Sequence, residues 1–455
     1  MQRVAVISSL ESRSAAEAVE EPSQTGLRSA AFLCAAMALG WAIHHAKWSA
    51  NEDSFRWAAI SFACVVFGVV ASSFLPDSRL TRAFATPLLC AAYGFQLTFL
   101  ARNTPGYGEP LQPWFFGIAV LLGLGLWGSR VSERWRIPAL AGIFWYLGHS
   151  VIKTSPAPDI DVWVWHNEAI RALLDGKNPY TMTMPNIYPD VRFYDPSMVQ
   201  GSRVNTGYQY PPMSLLLIVP GYLFGDCRYS LLFAMVGAVV CLASARPGSL
   251  AAPAICLWLF TPRTLFVLEQ AWTEPFVVFF LAATVMAAIR WPRYTFIPLG
   301  MLLAVKHYVA LALPLVWLLP VQKPRGHIRL VLEAAAVGGI FTLPFLLASP
   351  VALFSDLVLF QLKQPFRPES LSVLGYWATH HGKQLPSWLS FASLFPAMGL
   401  ALWRCERSPA GFAAAIALVF FCFFGFAKQA FCNYYFFVLG AICCAVAAAP
   451  TRRTG

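Results

Sequence analysis

Residues 153–180 read KTSPAPDIDVWVWHNEAIRALLDGKNPY, and residues 207–212 read GYQYPP. They bound a polar interruption, Lys153 to Tyr210, between long apolar segments that only a membrane interior accommodates. A connection of this length between spans is long enough to hold a site. It carries Asp159, Asp161, Glu168, Asp175, Asp190 and Asp195, from a total of only 22 acidic residues. Carboxylates gathered on one side of a membrane, next to turn-forming residues, point to chemistry at the water–lipid boundary.

Working outward, the composition agrees. The 455 residues are 58% hydrophobic and 12% charged, with mean hydropathy +0.57. A soluble domain carries about 25% charged residues, so the chain reads as an all-α polytopic membrane protein. Its helices satisfy their own backbones in lipid and pack on one another. The net charge of +11 fits Lys and Arg collected on cytoplasmic loops. No long basic run interleaved with aromatics argues for nucleic acid. Most of the 11 cysteines lie in apolar runs and behave as small hydrophobes. No CxxC pair suggests a metal or redox site.

Residues 1–29 read as a disordered cytoplasmic tail rather than a signal peptide, and 30–455 as one membrane domain. Spans are expected near 30–46, 57–75, 83–101, 113–128 and 137–152, then near 330–348, 386–403, 410–427 and 433–449. Arg79, Arg82, Arg130, Arg134 and Arg136 mark inside loops in the first half. Lys323, Arg325, Arg329, Arg404, Arg407, Arg452 and Arg453 do so in the second. Both halves then put 153–210 and 349–385 outside. Between Tyr210 and Arg290 lie four apolar stretches, 211–224, 228–244, 249–262 and 274–289, where an odd number of crossings is required. One of them is re-entrant or interfacial, and the sequence does not say which. Segment 294–320 runs from inside to inside, yet 27 residues are too few to cross a core of about 30 Å twice. A pair of short helices broken at Lys306-His307 is expected, with Lys306 at the apex.

In the 153–210 loop, Val162, Trp165, Ala169 and Leu173 follow Asp159 and Asp161 at near-helical spacing. Asp159 suits a helix N-cap and, alternatively, one of the two aspartates suits a general base. Gly176 suits the helix C′ position, and Pro179 stops the helix. Tyr208 and Tyr210 read as interface anchors.

These residues resemble glycosyltransferase family 87: Asp159-Ile160-Asp161-Val162-Trp163, then Gly176-Lys177-Asn178-Pro179-Tyr180, a variable stretch, and Tyr210-Pro211-Pro212 opening an apolar helix. Glu269-Gln270, Lys306, Pro314, Glu369-Ser370-Leu371 and Asn433-Tyr434-Tyr435 continue the likeness. The chain departs from the family pattern at Trp163, at Glu269 and in the long 181–207 insert. The resemblance implies a GT-C-like bundle of about 12 transmembrane helices with short helices on its outer loops. It implies transfer of a hexose, mannose above others, from a polyprenyl-phosphate donor to an outer-face lipid or glycan acceptor, with inversion. The enzyme would lie in a cell membrane, the bacterial inner membrane by preference, with its site on the outer face. Asp159 takes the place of the catalytic base, with Asp161 its rival.

The chemistry also needs cations for the phosphate. Lys306 and His307 are candidates, and Arg367 on the second outer loop can grip phosphate bidentately. Lys306 alternatively pairs with Glu274, because a lysine in an apolar run requires an anion or water. Tyr180, Tyr210, Glu269, Gln270 and Glu274 are candidate substrate contacts. Neither a cofactor beyond the lipid-phosphate co-substrate nor a metal site is expected. A transporter, a flippase or a ligase of lipid-linked glycans is the rival class. Against transport, the polar residues gather at outer loops, and no inverted repeat is evident.

Overall fold

Backbone groups in lipid must bond within their own segment, and the described residues are mostly helical, as that rule requires. The computed structural model describes residues 25–46, 49–71, 133–188, 193–246, 250–321 and 326–449. The expected spans at 83–101 and 113–128, most of the tail, Asp190, and the charged markers Arg79, Arg82, Arg130, Lys323, Arg325, Arg452 and Arg453 lie outside the described residues.

Helices α1 (Thr25–Ala46) and α2 (Glu52–Val70) form a hairpin. α1 therefore begins inside the stretch read as tail. Asn51 and Ser54 cap α2 reciprocally, satisfying two otherwise orphaned N–H groups. Next come α3 (Glu133–Thr154), α4 (Asp161–Leu174) and, after the loop, α5 (Pro212–Leu223) and α6 (Arg228–Ala245). α7 (Ala251–Leu259) and α8 (Pro262–Glu269) form a pair bent by 59°. α9 (Glu274–Arg290) leads to α10 (Phe296–Val305) and a 3₁₀ helix, His307–Leu318. The remaining helices are α11 (Gly326–Ala348), α12 (Pro350–Phe354), α13 (Phe360–Lys363), α14 (Val373–His381), α15 (Leu389–Arg404), α16 (Pro409–Gly425) and α17 (Cys432–Ala448).

The chain is an all-α polytopic protein. Among the described residues four helices are long and apolar enough to cross a membrane, or five with α7–α8 as one bent span. α16 and α17 have 17 residues each, the lower limit for a crossing. Ile340, Leu347, Phe395 and Trp403 on α11 and α15 are exposed, as lipid-facing positions should be.

The structure decides the odd stretch of the middle. It is α5, whose 12 residues reach only about 18 Å. Both its ends lie by the same face, because Arg228, just after it, donates to the carbonyls of Ser155 and Glu269. With α5 set aside, α6, α7–α8 and α9 are the three stretches left to meet the odd number that the charge frame requires. Segment 294–320 breaks at Lys306, whose extended backbone (φ −150°, ψ 131°) separates α10 from the 3₁₀ helix. A 3₁₀ helix rises about 2.0 Å per residue, so its second arm reaches farther than an α-helix of equal length.

Ends of like orientation meet. Arg28 of α1 pairs with Glu406 at 2.9 Å, and Arg290 of α9 donates to the Ser244 carbonyl at 2.9 Å. On the opposite face, the Ala50 N–H donates to Glu369, and the Arg367 and Leu371 N–H groups donate to Lys428 and Ala430. The 181–207 insert departs from an all-helical chain. It forms a small antiparallel sheet, β1 (Met184–Pro185), β2 (Val199–Gln200) and β3 (Arg203–Val204), in the order β1-β3-β2.

Candidate active site

The α3–α4 junction positions the first carboxylates. Pro156 and Pro158 stiffen the chain ahead of α4. The α4 N-cap is Ile160, not Asp159, and it makes no side-chain cap bond. Asp161, the first helical residue, accepts from the Val162 N–H at 2.8 Å. Asp159 is exposed two residues earlier. The helix ends as its glycine requires: Gly176 has φ +73°, and the Lys177 and Gly176 N–H groups bond back to Ala172 and Leu173.

Direct bonds join the two ends of the loop. The Tyr208 N–H donates to the Pro179 carbonyl at 3.0 Å, and the Tyr180 hydroxyl donates to the Tyr210 carbonyl at 2.7 Å. At Gly207 a Cβ would lie 2.7 and 2.8 Å from the Tyr180 and Pro179 carbonyl oxygens. Only glycine permits this approach. Tyr208 and Tyr210 are buried rather than anchored at an interface. The Tyr208 hydroxyl meets His166 Nδ1 at 2.9 Å, and His166 Nε2 meets the Ala271 carbonyl at 3.1 Å. A carbonyl only accepts, so the proton sits on Nε2, and Nδ1 accepts from Tyr208. Burial pushes the His166 pKa down to about 3, which keeps the ring neutral. Its partner Ala271 is in the left-handed region, φ 55°, a conformation uncommon outside glycine.

A cavity of about 1010 Å³ opens where these segments meet. Asp159, Asp161 and Tyr210 line it from the loop; Glu269, Gln270 and Trp272 from the α8–α9 link; Lys306 and His307 from the broken segment; Arg367 and Glu369 from the second loop; Asn433 and Tyr434 from the start of α17. Eleven of these twelve are residues that the sequence singles out; Trp272 is the exception.

At one end Asp161 accepts from the Tyr194 hydroxyl at 2.8 Å and the Tyr188 hydroxyl at 3.4 Å. Burial holds its carboxyl above the ordinary carboxylate range, outweighing those donors, the Val162 N–H and the attraction of Arg367. Tyr194 stacks on Trp165 with ring centroids 5.6 Å apart, and Tyr188 stacks on Phe193 at 4.1 Å. Tyr188, Phe193 and Tyr194 all come from the insert. Sequence reasoning left them out, although three aromatics within a polar loop were a visible signal.

At the other end Lys306 Nζ lies 3.1 Å from Glu274 Oε1 and 2.8 Å from Thr273 Oγ1, and sits 4.3 Å from the centre of the Tyr210 ring. The ion pair with Glu274 is thus formed. Glu274 is fully buried and is not part of the cavity wall, so it supports Lys306 rather than touching a ligand. Tyr180, also off the wall, supports Tyr210 in the same way. His307 Nδ1 and Gln270 Oε1 are buried atoms without a hydrogen-bond partner among the described residues. Arg367 is not a solvated loop residue. Its guanidinium lies 4.5 Å from the Phe193 ring centre and 5.1 Å from that of Phe431, and bonds Glu369 at 2.5 Å. Three loops thereby hold one cation at the cavity wall. Among the described residues no group of three or more His, Cys, Asp or Glu side chains is placed to hold a metal.

No family model matches the chain. No curated protein matches it either. Among solved structures it is similar to the crystal structure of ArnT from Cupriavidus metallidurans bound to undecaprenyl phosphate, at 19% identity and a TM-score of 0.42. The likeness covers 70% of this chain and 60% of that one, so the chain spans less than two thirds of ArnT. At this level it carries no assignment of sugar, acceptor or site residue.

Proposed function

We propose that this chain is an integral-membrane glycosyltransferase of the GT-C type, moving a hexose from a polyprenyl-phosphate donor to a lipid or glycan acceptor on the outer face of the membrane. One observation carries the reading. Asp159, Tyr210, Glu269, Lys306, Glu369 and Asn433 belong to motifs spread over more than half the chain, and all of them line one cavity. Mannose is the first sugar to test, on the strength of the motif resemblance.

Asp159 is the proposed base. It is exposed at the cavity wall, where an acceptor hydroxyl can reach it. Asp161, held by two tyrosines, anchors the segment and is the rival base. The acceptor oxygen attacks the anomeric carbon, its proton passes to the carboxylate, and the bond from that carbon to the phosphate oxygen breaks. The anomeric configuration inverts, and the polyprenyl phosphate leaves. Arg367, Lys306 and His307 face the phosphate, where cationic and N–H donors stabilise the developing charge. Gln270 and Glu269 face the sugar hydroxyls.

The experiment is transfer of radiolabel from polyprenyl-phosphate mannose, and in parallel from the glucose and arabinose analogues, by purified protein in lipid nanodiscs with extracted membrane lipids as acceptor. Labelled product is expected from one donor. Transport of the intact lipid-linked sugar without transfer would instead establish the rival class. Orientation has its own check: cysteines placed at Asn186 and Gly382 are expected to label from the outside only, and labelling of either from the cytoplasm alone would invert the topology.

A further inference from the structure

We propose that Arg228 is a positioning residue that sets the spacing between two walls of the cavity, the wall bearing Asp159 and the wall bearing Glu269 and Gln270. This role rests on the transferase reading above. Arg228 opens α6 and is fully buried. Asp226 grips it bidentately, taking Nε at 2.9 Å and Nη2 at 2.7 Å. The other donors go to main-chain carbonyls at two helix ends. Nη2 reaches Ser155 at 2.7 Å and Ile152 at 3.4 Å, and Nη1 reaches Glu269 at 3.2 Å.

A cation belongs at such ends, where carbonyls lack partners within the helix and the dipole is negative. Satisfying helix ends is the plainer account of a buried arginine. Two features exceed it. The acceptors lie in segments remote in sequence, and both Ser155 and Glu269 are themselves cavity-wall residues. Moreover, each wall continues directly into the proposed machinery. From Ser155 the chain runs through Pro156, Ala157 and Pro158 to Asp159, and the prolines fix most of the intervening φ angles. From Glu269 the next residue is Gln270. Holding both carbonyls on one planar guanidinium therefore fixes the base relative to the sugar-facing wall. Lysine cannot substitute, because its ammonium lacks the planar fork that serves Asp226 and the carbonyls of two helix ends together.

The test pairs a structural readout with a kinetic one, on the full chain in nanodiscs. Arg228→Lys is expected to raise amide hydrogen exchange in 152–161 and 267–273 while leaving the distant helices unchanged. With the donor established above, kcat is expected to fall about 10–100-fold, as misplacement by an ångström can cause, while KM for the donor stays nearly constant. Asp226→Asn keeps the cation and loosens its anchor, so it should show the same pattern more weakly and serves if Arg228→Lys folds poorly. Unchanged exchange in both segments, exchange raised evenly throughout, or a kcat loss no larger than the loss of folded protein would each overturn the positioning role. Wild-type transfer with undiminished kcat in Arg228→Lys would remove this role alone. Absence of transfer by the wild type from any polyprenyl-phosphate sugar would remove the transferase reading and the catalytic meaning of the clamp with it.

Discussion

The two ends of the cavity handle buried charge in opposite ways. At the loop end Asp161 is surrounded by neutral donors, the Tyr194 and Tyr188 hydroxyls and the Val162 N–H. At the inset end Glu274 is matched by a full cation, Lys306, with Thr273 beside it. Neutral donors leave a carboxylate free to change protonation, and the nearby Arg367 keeps its own partner Glu369 when it does. An ion pair in a low-dielectric site resists such change, because losing either partner leaves a buried charge alone. The loop end is therefore suited to proton transfer, and the inset end to holding a fixed electrostatic pattern against an anionic ligand.

The sharpest break of this contrast is Asp159→Asn. A general base contributes about 10²–10⁴ in rate, so kcat should fall by that much with the fold intact. If Asp159→Asn turns over normally and Asp161→Asn does not, the two carboxylates exchange roles. Activity retained in both would remove proton transfer from this end altogether.

Lys306→Met probes the inset end. It strands Glu274, with an expected stability loss of about 3–5 kcal/mol. Adding Glu274→Gln should recover most of it. Donor affinity decides whether Lys306 also meets the phosphate: weakened binding in the stable double variant supports that role, and unchanged binding leaves Lys306 a structural partner only.

Tyr194→Phe removes one neutral donor from Asp161, at a cost of about 1.5–3 kcal/mol for a hydrogen bond to a charged group. The Asp161 carboxyl, already raised by burial, should rise further because a donor to its ionised form is lost. A pH–rate profile whose rising limb shifts to higher pH would identify Asp161 as the base. An unmoved limb would leave that part to Asp159.

Asp356 offers the smallest effect and extends the comparison to a third buried carboxylate. Its Oδ1 accepts from Gly207 N–H at 3.0 Å and Thr206 Oγ1 at 3.1 Å, and Oδ2 has no partner among the described residues. Burial raises its pKa from 3.8 to about 7. Because the folded value lies above the unfolded one, its contribution to stability is full below about pH 4 and is lost as pH rises through about 7. Between pH 5 and 8 the wild-type melting temperature should fall a few degrees more than that of Asp356→Asn. Parallel curves would show that Asp356 does not titrate in that window.

Much of this was legible along the chain because membranes impose simple rules. Among the described residues apolar length marked α1, α2, α6 and α11, and the frame drawn from Arg and Lys agrees with the meetings of Arg28 with Glu406 and of Arg290 with Ser244. The parity of crossings showed that one middle stretch was irregular, and the length of 294–320 placed a break at Lys306. Local chemistry also named the helix over α4 and its glycine stop. The same local reasoning misassigned the cap to Asp159, since which carboxylate faces the first N–H groups depends on a single residue of register. Tyr208 and Tyr210 looked like interface anchors because a tyrosine at a span boundary has that signature whether it faces lipid or protein. The insert was opaque for a similar reason: Tyr188, Phe193 and Tyr194 have no periodicity, and their role depends on folding back over Asp161.

By itself the sequence determined that this chain is a bundle of membrane helices with a cluster of carboxylates in the polar interruption between Lys153 and Tyr210. Length, hydropathy and charge act locally and leave a periodic trace. Only the tertiary structure decided that α5 is the stretch that does not cross, that Lys306 is held by Glu274, and that Arg228 joins Ser155 to Glu269. Those outcomes depend on distances between segments remote in sequence. They are set by which buried donors and acceptors find one another when unpaired groups are costly, and no local pattern records that choice.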